Sequence, residues 1–142
     1  MKLYIPIGIS GSGKTTIIKE LSGVVSPDLI RIELYGGPNQ EHNGYVFYVA
    51  HSRVDKLLGE GKDVVFDATN ITLSSVRVLC DIAKKHKAEV EGIILNVPLD
   101  TAKDRVKKRA EAGGLNVPDS VIENQYKIFQ ENLEAIKKEL GV

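Results

Sequence analysis

Short, continuous apolar runs alternate along this chain with longer stretches in which apolar residues recur every three or four positions. The first kind predicts buried strands and the second predicts helices with one apolar face. Strands are expected at Leu3–Ile9, Val24–Ser26, Lys62–Asp67 and Val90–Val97. KDVVFD is continuously apolar at its centre, as a strand covered on both faces should be. Helices are expected at Lys14–Leu21, at Asn43–Leu58 with Gly59 and Gly61 as stop signals, and at Thr72–Lys87 through Val76, Leu79, Cys80 and Ala83. Asp100 is placed to cap a further helix running to about Arg109. A last helix carries Val121, Ile122, Tyr126, Phe129, Leu133 and Ile136 on one side. It starts either with Pro118 in the first helical position or with Ser120 and Glu123 as a capping box. Such alternation predicts an α/β fold: a four-stranded parallel sheet with right-handed crossovers and helices on both faces. Pro6 is the misfit, because a proline in a central strand offers no ladder donor.

The length of 142 residues suits one domain, residues 1–142, and nineteen basic residues balance nineteen acidic ones. No global field then draws the chain to a polyanion, so anion binding has to be local. No apolar run approaches the length of a membrane span, and the first residues do not have the form of a signal peptide. Cys80, the single cysteine, excludes an internal disulfide; it fits a reducing cytoplasm and the packed face of a helix.

Chemistry enters with GISGSGKTT, Gly8 to Thr16, which fits G-x-x-x-x-G-K-[ST] between an expected strand and an expected helix. Backbone N–H groups turn inward on a diphosphate only where side chains do not block the approach, which explains the glycines. The following helix presents its positive end. Gly8, Ser10, Gly11, Ser12, Gly13, Lys14, Thr15 and Thr16 are therefore expected to hold a nucleoside triphosphate. Lys14 would face the outer phosphates and the Thr15 hydroxyl would bind Mg²⁺.

The rest of the chain bears on what happens to that nucleotide. The N-K-x-D signature of guanine-reading switches is absent, and Asp67 is followed by Ala68 rather than by a water-activating glutamate. Hydrolysis is thus not the expected purpose, and Asp67 is placed either for a magnesium-bound water or the acceptor site, or to cap the next turn. Transfer to an alcohol needs a carboxylate to take the hydroxyl proton and positive charge around the moving phosphoryl group. In SPDLIR, Asp28 is either that base or a helix N-cap, and Arg31 shares its face if a helical turn begins there. In DTAKDRVKKRAEAGG, Arg105 and Arg109 share one side of a basic helix that could close as a lid, while Lys103 and Lys107 suit a solvated face.

Together GISGSGKTT, SPDLIRIELYG, VVFDATNIT, DRVKKR and NVPDSVIENQY resemble, in type and order, the polynucleotide 5′-kinases of the bacteriophage type. The resemblance covers nearly the whole chain. It implies a P-loop kinase with a basic helical lid, using ATP and Mg²⁺ on a 5′-hydroxyl nucleic acid end. In that reading Asp28 is the general base, and Arg31 contacts the phosphate beside the hydroxyl. Asp67, Thr69 and Asn70 shape the acceptor site, Arg105 and Arg109 belong to the lid, and Val117 touches adenine. No phosphatase segment follows the last helix, so only half of end healing is expected here, which leaves room for a separate phosphatase or ligase partner.

Two other readings stand beside it: a kinase of a nucleoside or small metabolite, and a nucleotide-binding regulatory module without an acceptor. His42, His51 and His86 are dispersed and suit packing or surface roles. Tyr35, Tyr45, Phe47 and Tyr48 are placed either to stack on a base or to pack in the core.

Overall fold

A computed structural model describes residues 1–18, 23–37, 40–114 and 116–142. Ten elements follow one another: β1 (Lys2–Ile7), α1 (Lys14–Ile18), β2 (Val24–Val25), α2 (Pro27–Tyr35), α3 (Asn43–Gly59), β3 (Val64–Phe66), α4 (Leu73–Lys85), β4 (Glu89–Ile94), α5 (Leu99–Glu111) and α6 (Asp119–Leu140). The four strands form one sheet in the order β2-β3-β1-β4, every pairing parallel. β1 and β3 are the inner strands, and Leu3, Ile5, Ile7, Val64 and Val65 have no exposed surface. Val46, Ala50 and Val54 of α3, Val76, Leu79 and Ala83 of α4, and Ile122, Phe129 and Ile136 of α6 close over them. Burying a large aliphatic or aromatic side chain contributes roughly 1.5–3 kcal/mol, so this shared core holds the sheet and helices together.

Pro6 is accommodated by register. β1 pairs with β3 only through Leu3 and Tyr4, while its pairing with β4 runs the length of the strand. In a strand the N–H and C=O of one residue point to the same side. The Pro6 carbonyl accepts from Asn70 Nδ2 at 2.9 Å, so its missing donor faces a side where the β3 ladder has already ended.

Several element ends differ from expectation. The first strand stops at Ile7, because the backbone then turns into the glycine loop. β2 ends at Val25 and Ser26 caps α2, its Oγ accepting from Leu29 N at 3.2 Å with Pro27 in the first helical position. What the sequence offers as one turn is a nine-residue helix, ended by Gly36 at φ 75°. α5 begins after Pro98, which puts Asp100 in its first turn rather than at its cap. α6 begins after Pro118, so neither expected start is used, and Glu123 pairs with Lys103 at 3.2 Å instead of closing a capping box. The expected end of the first helix at Leu21 lies outside the described residues.

Candidate active site

The glycine loop joins β1 to α1 and is shaped by close approach on both sides. Gly8 N–H donates to the Thr69 carbonyl at 3.0 Å, and Ser12 N–H turns back onto the Ile9 carbonyl at 3.1 Å. Gly11 adopts φ 80°, and a Cβ there would lie 2.3 Å from the Ala102 carbonyl of α5. Only glycine provides both that backbone conformation and that clearance. The basic helix is therefore docked against the loop, and Arg105 Nη1 also donates to the Gly11 carbonyl at 3.3 Å.

Lys14 folds back over the loop. Its Nζ donates to the Gly8 carbonyl at 2.7 Å and the Ile9 carbonyl at 2.9 Å. Burial pushes its pKa down to about 8; Asp67 and Asp28 oppose that shift and Arg109 adds to it. The half-buried Asp67 is displaced the other way: burial raises its pKa, the charge of Asp28 raises it further, and Lys14 counteracts both. Two carboxylates and two cations thus converge on one space.

That space is a cleft of about 950 Å³. The loop and the start of α1 line one side, through Ser10, Gly11, Ser12, Gly13, Lys14, Thr15 and Thr16. Asp28, Asp67 and Thr69 come from the carboxyl ends of β2 and β3, and Arg105, Lys108 and Arg109 from α5. Val97, Gly114 and Val117 complete the wall. The sequence did not single out Lys108, Val97 or Gly114 as lining residues.

Asp28 is the second residue of α2, so Ser26 takes the capping role that the sequence left open for it. Its exposed carboxylate accepts from Arg31 Nη1 at 2.5 Å across one helical turn. Arg31 is 5% exposed and does not line the cleft itself. Its other terminal nitrogen donates to Asn43 Oδ1, and its guanidinium carbon lies 5.8 Å from the centre of the Phe47 ring. Asn43 was not legible as a partner, since nothing local links the two positions.

Asn70 departs from its expected place at the acceptor site. It is 3% exposed, and its amide donates to the carbonyls of Pro6, Phe66 and Ala68 at 2.9, 3.2 and 3.2 Å. With every donor committed to backbone, it straps the 67–70 segment to β1 and leaves the cleft to its neighbour Thr69. Gly8 is likewise behind the lining, packed against Ser12 and the Leu95 carbonyl. Among the aromatic candidates, Phe47 packs inward near Phe66, whereas Tyr45 and Tyr48 are exposed and are not core residues. His51 stacks on Phe66, and His86 pairs with Asp55 at 2.5 Å, both packing roles. Among the described residues, no helix is long and apolar enough to cross a membrane.

This architecture is the P-loop kinase fold, and comparison with known proteins places it further. A protein of Autographa californica nuclear polyhedrosis virus, provisionally named a bifunctional polynucleotide kinase/RNA ligase, is 31% identical over 145 residues. That match covers 90% of this chain and 21% of the viral protein. A chain of the Pnkp1/Rnl/Hen1 RNA repair complex superposes with a TM-score of 0.83 at 25% identity, covering 94% of this chain and 45% of that one. A chain of the AvrRxo1-ORF1:AvrRxo1-ORF2 complex with ATP shares the fold, with a TM-score of 0.75 at 19% identity over 97% of this chain and 50% of that one. The chain therefore spans about a fifth of the viral relative and less than half of the repair-complex chain. The AAA domain family model matches residues 3–132, from β1 into α6, and the chain belongs to that family.

Proposed function

We propose that this domain transfers the γ-phosphoryl group of ATP to the 5′-hydroxyl end of RNA or DNA. The observation that carries the reading is the meeting of Asp28 and the Lys14 loop in one cleft, with Arg31 joined to Asp28. The loop would hold the phosphates of ATP on its N–H groups, and Val117 would lie against the adenine. Asp28 would take the proton of the acceptor hydroxyl as its oxygen bonds to the γ-phosphorus. The bond from that phosphorus to the β–γ bridging oxygen breaks, and ADP leaves. Lys14, Arg105 and Arg109 would neutralise charge on the phosphoryl group in flight. Arg31, which lies behind Asp28 and off the cleft wall, would turn its guanidinium toward the phosphate beside the acceptor hydroxyl, distinguishing a nucleotide end from a nucleoside.

The donor set fits Mg²⁺. The exposed Thr15 hydroxyl and the Asp67 carboxylate share the cleft, and burial together with the Asp28 charge leaves Asp67 short of compensating positive charge. Thr15 and Asp67 would hold the ion, which when bound would supply charge neutralisation to the outer phosphates. The viral relative's name and the repair-complex likeness support a nucleic acid acceptor. The viral relative's name also favours a ligase working alongside, and a cytoplasmic setting suits ATP chemistry.

The test uses γ-labelled ATP with three acceptors: a 5′-hydroxyl oligonucleotide, a nucleoside 3′-monophosphate and a nucleoside. Label in the first two alone is expected. Label in the nucleoside alone would make this a metabolite kinase, and free phosphate in all three would make it a regulatory module.

A further inference from the structure

We infer that Gln125 is a positioning residue of the nucleotide site, fixing the peptide between Ile9 and Ser10 so that its carbonyl faces Lys14. The contact joins positions 115 residues apart: Ser10 N–H donates to Gln125 Oε1 at 2.9 Å. A backbone N–H can only donate, so the side-chain oxygen must be the atom that meets it. The same peptide is held on its other side, where the Ile9 carbonyl accepts from Lys14 Nζ at 2.9 Å and from Ser12 N–H at 3.1 Å. In a trans peptide the N–H and C=O point in opposite directions. Gln125 and Lys14 therefore grip one peptide plane from opposite edges, and neither grip can turn without the other.

The placement of Gln125 is rigid. It stands three residues after Ile122 and four before Phe129, both buried, on the core-facing side of α6. Two residues earlier Glu123 pairs with Lys103 of α5, so this turn of α6 touches both the loop and the basic helix docked on it. Without the Gln125 oxygen, the Ser10 N–H loses its partner and the 9–10 peptide can rotate. Rotation carries the Ile9 carbonyl away from Lys14 and opens the turn leading into Gly11. Gln125 touches no reacting group; it acts through the loop backbone.

The inference rests on the reading that the loop holds ATP, and the experiment separates the two. Gln125→Met keeps the length of the side chain and removes the acceptor; Gln125→Glu restores an oxygen. Four quantities are measured: ATP affinity by titration calorimetry, deuterium uptake of residues 8–16 in the nucleotide-free protein, melting temperature, and KM for the oligonucleotide acceptor. Gln125→Met is expected to weaken ATP binding about five- to tenfold, the scale of one lost hydrogen bond, and to speed exchange in the loop. Acceptor KM and melting temperature stay near wild type, and Gln125→Glu recovers most of the lost affinity. Wild-type affinity and exchange in Gln125→Met would overturn the inference. So would a loss shared equally by ATP and acceptor, accompanied by a lower melting temperature and not recovered by Glu. A wild-type protein that binds ATP but labels no 5′-hydroxyl would refute the proposed function alone; one that binds no ATP would refute both.

Discussion

Lys14 is held in the loop against its own solvation. A pKa lowered from 10.5 to about 8 corresponds to roughly 3 kcal/mol against the charged form. Below pH 8 the lysine is charged in both the folded and the unfolded chain, and the whole penalty applies. Between about 8 and 10.5 the unfolded chain still binds the proton that the folded one has released, so stability rises with pH across that window. The melting temperature of nucleotide-free wild type, relative to Lys14→Met, should therefore climb from pH 7.5 to 9.5, while ATP affinity declines as the charge is lost. A flat difference would mean that Lys14 is solvated. Asp28, in the proposed reading, would act on the other substrate. Asp28→Asn should lower transfer by about 10²- to 10⁴-fold, the usual reach of a general base, with ATP affinity changed less than threefold. Single-turnover transfer and calorimetry read the two separately; undiminished transfer would remove Asp28 from the chemistry.

How much of this was legible depends on how far each interaction reaches along the chain. The glycine loop could be read because backbone freedom, lysine and hydroxyl all lie within nine residues, between a strand and a helix. Sheet class followed from the alternation of patterns, and Asp28 beside Arg31 from spacing within one turn. Asn70 was misplaced because a motif gives adjacency and not the direction of a side chain. It borders Thr69, which lines the cleft, yet its φ of 52° turns the amide inward. Gln125 and Asn43 could not be read at all, since their partners are brought to them only when α6 and α3 pack. The Asn70 strap also supplies what Pro6 cannot: an attachment for β1 beyond the end of the β3 pairing. Asn70→Asp would place a carboxylate oxygen where the amide nitrogen now donates to three carbonyls. A loss of about 3 kcal/mol in urea unfolding is expected, with the slope of the transition unchanged. A loss under 0.5 kcal/mol would show that the carbonyls find other partners.

For the proposed nucleic acid acceptor, charge over the whole molecule sets how much of it can be gripped. Nineteen basic residues against nineteen acidic ones leave no net field, and the basic helix spends part of its charge internally. Lys103 faces Glu123 at 3.2 Å, and Lys108 faces Asp104 at 3.0 Å. In the proposed reading what remains for an acceptor is local: Arg31 behind Asp28, while the cleft cations Lys14, Arg105 and Arg109 would serve the donor phosphates. A polyanion held by one or two phosphates releases few counterions, and each single-strand phosphate contributes about −0.7 to the slope of log K against log salt. Acceptor affinity should therefore fall with a slope between about −0.7 and −1.5. Lengthening the oligonucleotide from two to ten nucleotides should lower KM less than threefold, because the proposed reading assigns no cation among the described residues to phosphates past the second. Steady-state transfer measured from 50 to 300 mM salt with both lengths tests this. A slope near −4, or a KM that keeps falling with length, would require an extended basic track along the domain. The acceptor would then be read along its length, and the Asp28–Arg31 corner would no longer suffice to explain the choice of substrate.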